Sequence, residues 1–247
     1  MSVPSCFVSI IVPLRNEAGN IPGLMQRLPI IDGGVEVILV EGGSSDGTWD
    51  AAIAARDAHP QLAMTVVRQP GRGKADATRH ALDLASGKFA VILDGDLGVD
   101  PERIPDFIAP LVDGRCGLVN GVRVAARREP GAMPRLNSLA NFGFASLMSH
   151  AIGQPIGDAL CGTKAFAVAD WHRWSVWTRR WRHLDPFGDF EILCGAAWLG
   201  LPIEDLEVDY RARRYGATNI SRFRDGARLL RTAVAAGWEL RRQRSVE

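Results

Sequence analysis

The stretch that decides the fold is Phe89-Ala-Val-Ile-Leu-Asp94-Gly-Asp96-Leu-Gly98, an apolar run that ends in two carboxylates. Its five apolar residues predict a short buried strand whose carboxyl end lies at Asp94. If the chain stays extended through Gly95, the two carboxylates point to the same face, and the glycine lets a ligand approach closely. Such a pair suits Mg²⁺ or Mn²⁺ beside a phosphate. The alternative is an ordinary turn, with an aspartate capping a helix that begins near Pro101.

Strands and helices alternate along the rest of the chain. Apolar runs with turn residues at their ends predict strands at 7–13, 35–40, 64–68, 89–93, 118–124, 165–168 and 203–208, the last at a sheet edge. Helical periodicity predicts helices at about 21–28, 49–58, 74–85, 136–152, 185–199 and 221–242. The alternation predicts an α/β fold with a mostly parallel sheet and helices on both faces. Ligands of such sheets bind at the carboxyl ends of strands, so the polar segments 15–17, 41–46 and 94–96 should line one cleft.

Length and composition narrow the class of protein. At 247 residues the chain is long enough for one large domain, predicted at 1–215, followed by a C-terminal segment at 216–247. With 29 basic and 28 acidic residues, no global field favours a nucleic-acid partner. The four cysteines are far apart, which argues against a zinc site or a disulfide framework. No apolar run is long enough to span a bilayer, so we expect a cytoplasmic protein with at most a peripheral membrane contact.

The loop Gly71-Arg-Gly-Lys74 precedes a predicted helix. It lacks both the spacing of a P-loop and the third glycine of a dinucleotide fingerprint. A glycine-flanked arginine and lysine at a helix N-terminus can still bind a diphosphate through backbone N–H groups and positive charge. The alternative is a solvated turn.

Three features of the C-terminal half each have two interpretations. Asn137 and Asn141 share a helix face, which suits an amphiphilic ligand or two ordinary polar contacts. Four tryptophans between 171 and 181 alternate with arginines, so they either bind bases or lipid headgroups or pack in the core. The last helix carries Phe223, Ala227, Leu230, Val234 and Trp238 on one stripe flanked by arginines. It either packs on the domain or lies on an anionic membrane.

Several of these motifs, in their order along the chain, resemble the inverting glycosyltransferases of family 2, which have the GT-A fold. They are Val12-Pro-Leu-Arg-Asn-Glu17, Val40-Glu-Gly-Gly-Ser-Ser-Asp-Gly-Thr48, Gly71-Arg-Gly-Lys74 and Leu93-Asp-Gly-Asp-Leu97. The segments Asp158 to Lys164, Gly188 to Glu191 and Arg213-Arg-Tyr-Gly216 are similar to the branch of dolichyl and polyprenyl phosphate sugar synthases. The resemblance extends from Val8 to about Arg228.

The resemblance implies a role for each matching residue. It implies that the nucleoside of a UDP or GDP sugar is held by residues of the first two strand loops, namely Pro13, Arg15, Glu17 and Glu41. It implies that Asp94 and Asp96 hold Mg²⁺ or Mn²⁺ on the donor diphosphate. Arg123 and Arg213 match basic positions near the donor and acceptor phosphates, with Lys74 and Lys164 as further candidates.

Two positions depart from the family pattern. Gly42 stands where the family has a second acidic residue, which leaves the choice between UDP and GDP open. Gly98 stands where the lipid-phosphate enzymes often have a polar side chain.

The expected reaction is a single in-line displacement at the anomeric carbon. A polyprenyl phosphate acceptor is already ionised and needs no general base, whereas a glycan hydroxyl would need Asp189 or Glu191 to take its proton. Two alternatives are a nucleotidyltransferase that forms a nucleotide sugar, and an inactive donor-binding subunit.

Overall fold

The computed structural model describes residues 7–217 and 222–244. Within these ranges five side chains are not described, those of Arg135, Arg222, Phe223, Gln243 and Arg244. Cys6, the predicted helix start at Ser221 and the end of the predicted C-terminal segment lie outside the described residues.

The described part of the chain contains seven strands and eight α-helices. In order they are β1 Val8–Leu14, α1 Ile21–Arg27, β2 Val35–Glu41, α2 Thr48–Ala58, β3 Ala63–Arg68, α3 Lys74–Leu84, β4 Phe89–Ile92, α4 Ile104–Val112, β5 Leu118–Val122, α5 Arg135–Ile152, β6 Lys164–Ala167, α6 Val168–Thr178, α7 Asp189–Trp198, β7 Ile203–Glu207 and α8 Arg222–Arg244.

The seven strands form one sheet in the order β3-β2-β1-β4-β6-β5-β7, with β4 at its centre. β1 runs parallel to β2 and β4, β2 runs parallel to β3, and β5 runs parallel to β7. The predicted α/β fold with a mostly parallel sheet is therefore confirmed, and the last strand lies at the sheet edge as expected.

Two hydrophobic cores cover the two faces of this sheet. Successive side chains of β1 alternate between them, since Ile11 packs with α3, α6 and α7 while Ile10 and Val12 pack with α1 and α4. This alternation follows from the two-residue repeat of a strand. All four residues of β4 are buried because both faces of the central strand are covered.

β6 is the exception to parallel pairing, because it runs antiparallel to both β4 and β5. The chain returns from α5 through residues 153–163 at the carboxyl end of β4 and enters β6 from there. Lys164 consequently pairs in register with Ile92, two residues before Asp94. The antiparallel strand therefore brings the predicted loop 158–164 to the end of the central strand.

The four tryptophans from Trp171 to Trp181 are all buried in the core on one face of the sheet. Trp177 stacks on Trp198 of α7 with 5.5 Å between ring centroids. Core packing therefore accounts for all four side chains, and none of them is free to bind a base or a lipid headgroup.

α8 packs against α5 and α7, but through a different face from the stripe recognised in the sequence. Its buried side chains include Leu229, Ala233, Ala236 and Leu240. Leu230, Val234 and Trp238 are exposed on the opposite side. The helix therefore buries a face of alanines and leucines and leaves the stripe that includes Trp238 outside.

Candidate active site

A cleft of about 780 Å³ lies at the carboxyl ends of β1, β2 and β4. Ten of the predicted site residues line it: Pro13, Arg15, Glu17, Lys74, Asp94, Gly95, Asp96, Arg123, Asp189 and Arg213. The parallel strands bring together loops that are far apart in sequence, as expected for a sheet of this kind.

The chain turns directly after β4, so the two interpretations of Asp94-Gly-Asp96 are compatible. The Leu97 N–H donates to the Asp94 carbonyl at 3.0 Å, and the Gly98 N–H donates to Oδ1 of Asp96 at 3.0 Å. Both carboxylates still line the cleft. Gly95 is closely packed, since a Cβ there would lie 2.7 Å from Leu14 Cδ2 and 3.1 Å from the Pro13 carbonyl oxygen.

Each of the two aspartates has a cationic partner. Lys74 Nζ lies 2.6 Å from Oδ1 of Asp94, and Arg213 Nη2 lies 2.8 Å from Oδ2 of Asp96. Burial would raise the pKa of Asp94, but the charges of Lys74 and Arg123 outweigh it and lower the pKa overall. For Asp96, burial and the negative charge of Asp94 raise the pKa despite Arg213.

Glu17 connects the first strand loop to a loop near the C-terminus. Its Oε1 accepts a hydrogen bond from Arg213 Nη1 at 2.6 Å, and its Oε2 accepts one from Asn20 Nδ2 at 2.5 Å. Burial raises the pKa of Glu17 although Arg213 opposes the shift. Arg213 therefore bridges Glu17 and Asp96 across one wall of the cleft.

The loop that carries Arg213 is held against the first strand loop by Tyr215. The Tyr215 hydroxyl donates to Oδ2 of Asp46 at 3.1 Å. Its ring covers Gly19 so closely that a Cβ there would lie 2.5 Å from the ring. Gly216, with φ of 72°, adopts a left-handed conformation that suits glycine at this contact.

Arg123 is held by Asp158, to which neither the residue pattern nor the family resemblance assigned a role. Arg123 Nε and Nη2 donate to the two oxygens of Asp158 at 2.7 and 2.9 Å, a bidentate pair that is nearly buried. Burial would raise the pKa of Asp158, but the Arg123 charge lowers it. The Arg123 guanidinium lies over the Tyr210 ring, with Cζ 5.2 Å from the ring centroid. These contacts fix the orientation of Arg123 at the cleft.

Asp189 lies at the N-terminus of α7 and lines the cleft. Its Oδ1 is 3.4 Å from the fully buried Lys164 Nζ, which also donates to the Cys161 carbonyl oxygen. Lys164 therefore neutralises Asp189 from behind and is not itself among the residues that line the cleft.

Glu191 and Glu41 are two predicted site residues that are not among those lining the cleft. Glu191 Oε2 accepts from Arg79 Nε at 2.5 Å, and its Oε1 accepts from Thr178 Oγ1 at 2.5 Å, in a buried site between α3, α6 and α7. Helical periodicity turns it away from Asp189. The Glu41 side chain folds back toward its own loop, where its Oε1 accepts a hydrogen bond from the Ser44 backbone N–H. We assign neither residue a direct contact with substrate.

Local packing is tight at both positions that depart from the family pattern. A Cβ at Gly42 would lie 3.2 Å from the Leu14 carbonyl oxygen and 3.3 Å from Gln69 Oε1. The Gln69 side chain therefore occupies space that a side chain at 42 would need. A Cβ at Gly98 would lie 2.8 Å from the Tyr210 ring. The ring that supports Arg123 thus excludes a side chain at 98.

Sequence reasoning also missed the apolar wall of the cleft and its basic rim. The wall contains Phe144, Leu160 and Phe187, and the rim contains Arg224 and Arg228 of α8. Asn137 and Asn141 of α5 line the cleft too, and Oδ1 of the buried Asn141 has no hydrogen-bond partner among the described residues. Their shared helix face was the only sequence signal for this part of the site.

The cleft fits a divalent cation bound together with a phosphate ligand. Among residues 7–217 and 222–244 no group of three or more His, Cys, Asp or Glu side chains could hold a metal on its own. Magnesium sites commonly combine one or two carboxylates with substrate phosphates. Asp94 and Asp96 offer the two carboxylates of such a set. A Cβ at Gly162 would collide with Lys74 Nζ and the Asp94 carboxylate, so this glycine leaves room beside the carboxylate.

Comparison with known sequences identifies the family. The family described as "Glycosyl transferase family 2" matches residues 9–172. The glycosyltransferase AglJ of Haloferax volcanii is 31% identical over 222 residues, which cover 89% of this chain and 68% of AglJ. An undecaprenyl-phosphate 4-deoxy-4-formamido-L-arabinose transferase of Serratia proteamaculans is 28% identical over 163 residues. That match covers 64% of this chain and 48% of the relative, so the match spans about half of the relative's length.

Solved structures agree with this result at the level of the fold. Glucosyl-3-phosphoglycerate synthase of Mycobacterium tuberculosis, crystallised with Mn²⁺, UDP-glucose and phosphoglyceric acid, superposes with a TM-score of 0.67 at 19% identity. The superposition covers 94% of this chain and 80% of the synthase. The sequence match, rather than the superposition, favours a glycosyltransferase over a nucleotidyltransferase. The chain therefore belongs to glycosyl transferase family 2, and it is a glycosyltransferase with the GT-A fold that resembles the polyprenyl phosphate sugar branch.

Proposed function

We propose that this protein is a metal-dependent inverting glycosyltransferase that moves a sugar from a nucleoside diphosphate sugar to a polyprenyl phosphate. The observation that carries the proposal is one cleft that combines the carboxylates of Asp94 and Asp96 with the cations Lys74, Arg123 and Arg213. A site that handles two phosphate-bearing substrates requires such a set of charges.

The donor would bind where the loops after β1 and β2 meet. Pro13, Arg15 and Glu17 line this end of the cleft, and Gly42 and Gln69 lie beside them. We propose that Gln69 contributes to recognition of the base, since its side chain lies where the family has an acidic residue. The donor can be a UDP or a GDP sugar.

In the proposed reaction an oxygen of the acceptor phosphate forms a bond to the anomeric carbon. The bond from this carbon to the diphosphate breaks on the opposite face, and its electron pair leaves with the nucleoside diphosphate. Lys74 and Arg213 would move from their aspartate partners toward the diphosphate oxygens and stabilise this charge. A divalent cation held by Asp94 and Asp96 would supply Lewis-acid stabilisation of the same leaving group.

The surroundings of Asp189 support a phosphate acceptor over a glycan hydroxyl. A phosphate is already ionised near neutral pH, so the cleft needs no free base. Asp189 is neutralised by Lys164, and Glu191 points away from the cleft. The apolar wall and the arginine rim match the two halves of a lipid phosphate. The naming of the undecaprenyl-phosphate transferase relative supports the same acceptor class.

A panel of UDP and GDP sugars, incubated with Mn²⁺ and with or without polyprenyl phosphate, tests the proposal. We expect slow hydrolysis of one donor alone and faster transfer when the lipid phosphate is added. Release of pyrophosphate from a nucleoside triphosphate would instead support a nucleotidyltransferase. No reaction with any donor would favour an inactive donor-binding subunit.

Asp96→Asn tests the metal assignment. Calorimetry should find at least about a hundredfold weaker Mn²⁺-dependent donor binding, because even an outer-shell substitution at a metal site costs about 10–100-fold. Glu102→Gln, which changes an exposed carboxylate outside the cleft, serves as the matched control and should bind normally. Undiminished binding by Asp96→Asn would refute the assignment of Asp96 as a metal ligand.

Asp189→Asn separates the two acceptor classes. Transfer to a lipid phosphate should weaken but persist, whereas transfer to a hydroxyl would require this carboxylate as a base and would be abolished. Circular dichroism on the variant controls for the loss of the Lys164 ion pair. Complete loss of lipid-phosphate transfer in a folded variant would contradict the proposed role.

A further inference from the structure

We propose that the exposed faces of α5 and α8 form a docking surface for an anionic lipid bilayer. This docking face consists of Leu136, Leu139 and Phe142 of α5 together with Leu230, Val234 and Trp238 of α8. None of the described helices is long and apolar enough to cross a bilayer.

The apolar side chains of α8 are exposed although the helix is packed on the domain. Val234 is 61% exposed and Trp238 is 59% exposed, while the opposite side of the helix is buried through Leu229, Ala236 and Leu240. A helix that needed only to pack would place tryptophan inside and alanine outside. α8 instead leaves its tryptophan more than half exposed and buries alanines together with leucines, so its outer apolar stripe is left largely uncovered by the described part of the chain.

α5 repeats this arrangement beside it. Leu139 is 69% exposed and Phe142 is 73% exposed, whereas Ala145, Met148 and Ile152 are buried. Clusters of large exposed apolar residues on adjacent elements mark interaction sites in soluble proteins.

The exposed faces of the two helices lie on the same side of the pair. The helices are in contact near Ala151 and Gly237, where a Cβ on the glycine would lie 3.3 Å from Ala151 Cβ. Their N-terminal halves meet at the cleft, through Asn141 of α5 and Leu229 of α8, so the helices run in the same direction. Around the axis of α5, Leu139 lies about a third of a turn from Ala151, and around the axis of α8, Trp238 lies about a third of a turn from Gly237. The two rotations have opposite senses, so in two helices that run side by side in the same direction they lead to the same side. Both apolar faces therefore point outward together.

The charges around the docking face favour an anionic partner. α5 contains no acidic residue, and the two in α8, Asp225 and Glu239, are turned inward. The exposed charged side chains described on α8 are all basic: Arg224, Arg228, Arg231, Arg241 and Arg242. A second copy of the chain related by two-fold symmetry would bring these arginines together. Phosphate headgroups complement both the arginines and the apolar side chains between them.

The docking face is continuous with the cleft. Arg224, Arg228, Asn137 and Ala140 line the cleft and lie on the same two helices. Bilayer contact would therefore bring a lipid-borne phosphate to the cleft mouth while the distal part of its hydrocarbon chain stays in the membrane. The delivery of a lipid phosphate to the cleft rests on the proposed function, whereas the contact between the docking face and a bilayer does not.

Vesicle flotation of the full chain tests the docking face. We expect binding to vesicles of phosphatidylcholine mixed with phosphatidylglycerol, weaker binding to phosphatidylcholine alone, and a loss of binding as salt rises. The double variant Phe142→Ser and Trp238→Ser should bind at least about tenfold more weakly, because each change removes an insertable aromatic side chain. Ile30→Ser with Val176→Ser, which alters two exposed apolar residues elsewhere, is the matched control and should bind like the unmodified chain.

Fluorescence quenching by brominated lipids reports chiefly on Trp238, since four of the other six tryptophans are buried and Trp49 and Trp198 are less exposed than Trp238. Trp238→Phe should remove most of the quenching while flotation persists. Equal flotation of the double variant and the control would overturn the proposal. So would a dimer in sedimentation velocity that the double variant dissociates, since a second copy would then occupy the face.

Donor hydrolysis without vesicles separates this proposal from the proposed function. The double variant should hydrolyse the donor normally, because Phe142 and Trp238 do not line the cleft. A chain that floats with anionic vesicles but hydrolyses no nucleotide sugar would refute the proposed function and leave the docking face supported.

Discussion

Single residues of the cleft already have partners that substrate binding would have to replace. Asp94 is paired with Lys74, and Asp96 is paired with Arg213, which also binds Glu17. A buried carboxylate is stable only if its charge is compensated, and each of these cations offsets part of the cost of burying its aspartate. The donor diphosphate would offer Lys74 and Arg213 a new anion and release the carboxylates for the metal.

Asp185 is a buried carboxyl outside the cleft for which we predict a pH-dependent contribution to stability. Burial and the nearby Asp189 raise its pKa to about 6, although the backbone N–H of Glu191 donates to it. The folded chain therefore binds a proton more tightly than the unfolded chain between about pH 4 and pH 6. Asp185 contributes fully to the free energy of unfolding below about pH 4. This contribution, up to about 3 kcal/mol, is lost as the pH rises through about 6.

Denaturant unfolding between pH 4 and pH 7 measures this effect. Asp185→Asn should flatten the decline across that window, whatever its effect on absolute stability. Asp57→Asn, which changes an exposed carboxylate, should leave the slope of the unmodified chain in place. An unchanged slope in Asp185→Asn would rule out Asp185 as the titrating group.

At the scale of elements, Glu191 joins three helices. Its buried carboxylate on α7 accepts hydrogen bonds from Arg79 of α3 and Thr178 of α6. We predict that Glu191→Gln lowers the free energy of unfolding by about 3 kcal/mol, because removing one partner leaves the other charge uncompensated. Activity per folded molecule should change little. A stable variant with abolished activity would make Glu191 a catalytic candidate again.

The two faces of α8 should respond differently to truncation of a side chain. Leu240→Ala should destabilise the protein by about 2–5 kcal/mol, because Leu240 is buried against the domain. Trp238→Ala should change stability by no more than about 0.5 kcal/mol, because its side chain is mostly exposed. Thermal unfolding of the two variants measures the difference. A large loss from Trp238→Ala alone would mean that the helix packs through its other face.

At the scale of the whole molecule, the cleft joins loops from both ends of the chain. Arg213 and Tyr215 contact Glu17 and Asp46, which belong to the first two strand loops. A donor bound there with Mn²⁺ would contact only the folded state. At a concentration about a hundred times Kd it should add about 2.7 kcal/mol of stability and raise Tm by roughly 5–10 °C.

Differential scanning fluorimetry with each nucleotide sugar measures this shift and identifies the donor. Chelation of the metal should abolish the shift, and so should Asp96→Asn. An equal rise for every nucleotide sugar, with or without Mn²⁺, would contradict a specific metal-dependent donor site.

The sequence by itself determined the sheet and most of the cleft. The strand predictions followed from apolar runs that end in turn residues, and parallel strands necessarily bring their carboxyl ends to one edge. That rule placed Arg15, Glu17 and the Asp94-Gly-Asp96 motif together although they are distant in sequence. The family resemblance added Arg213 and Asp189, which no local pattern would have connected with Asp94.

Only the tertiary structure decided which way several side chains point. Glu191 and Asp189 are two residues apart in one helical turn, and packing sends the first to Arg79 and the second to the cleft. Asp158 contacts Arg123 because β6 runs antiparallel to its neighbours, which places the loop before β6 beside the end of β5. The apolar stripe of α8 looked like a packing face, yet the helix buries alanines and leucines on its other side. Sequence periodicity identifies the faces of a helix, but the surface available on neighbouring elements determines which face is buried.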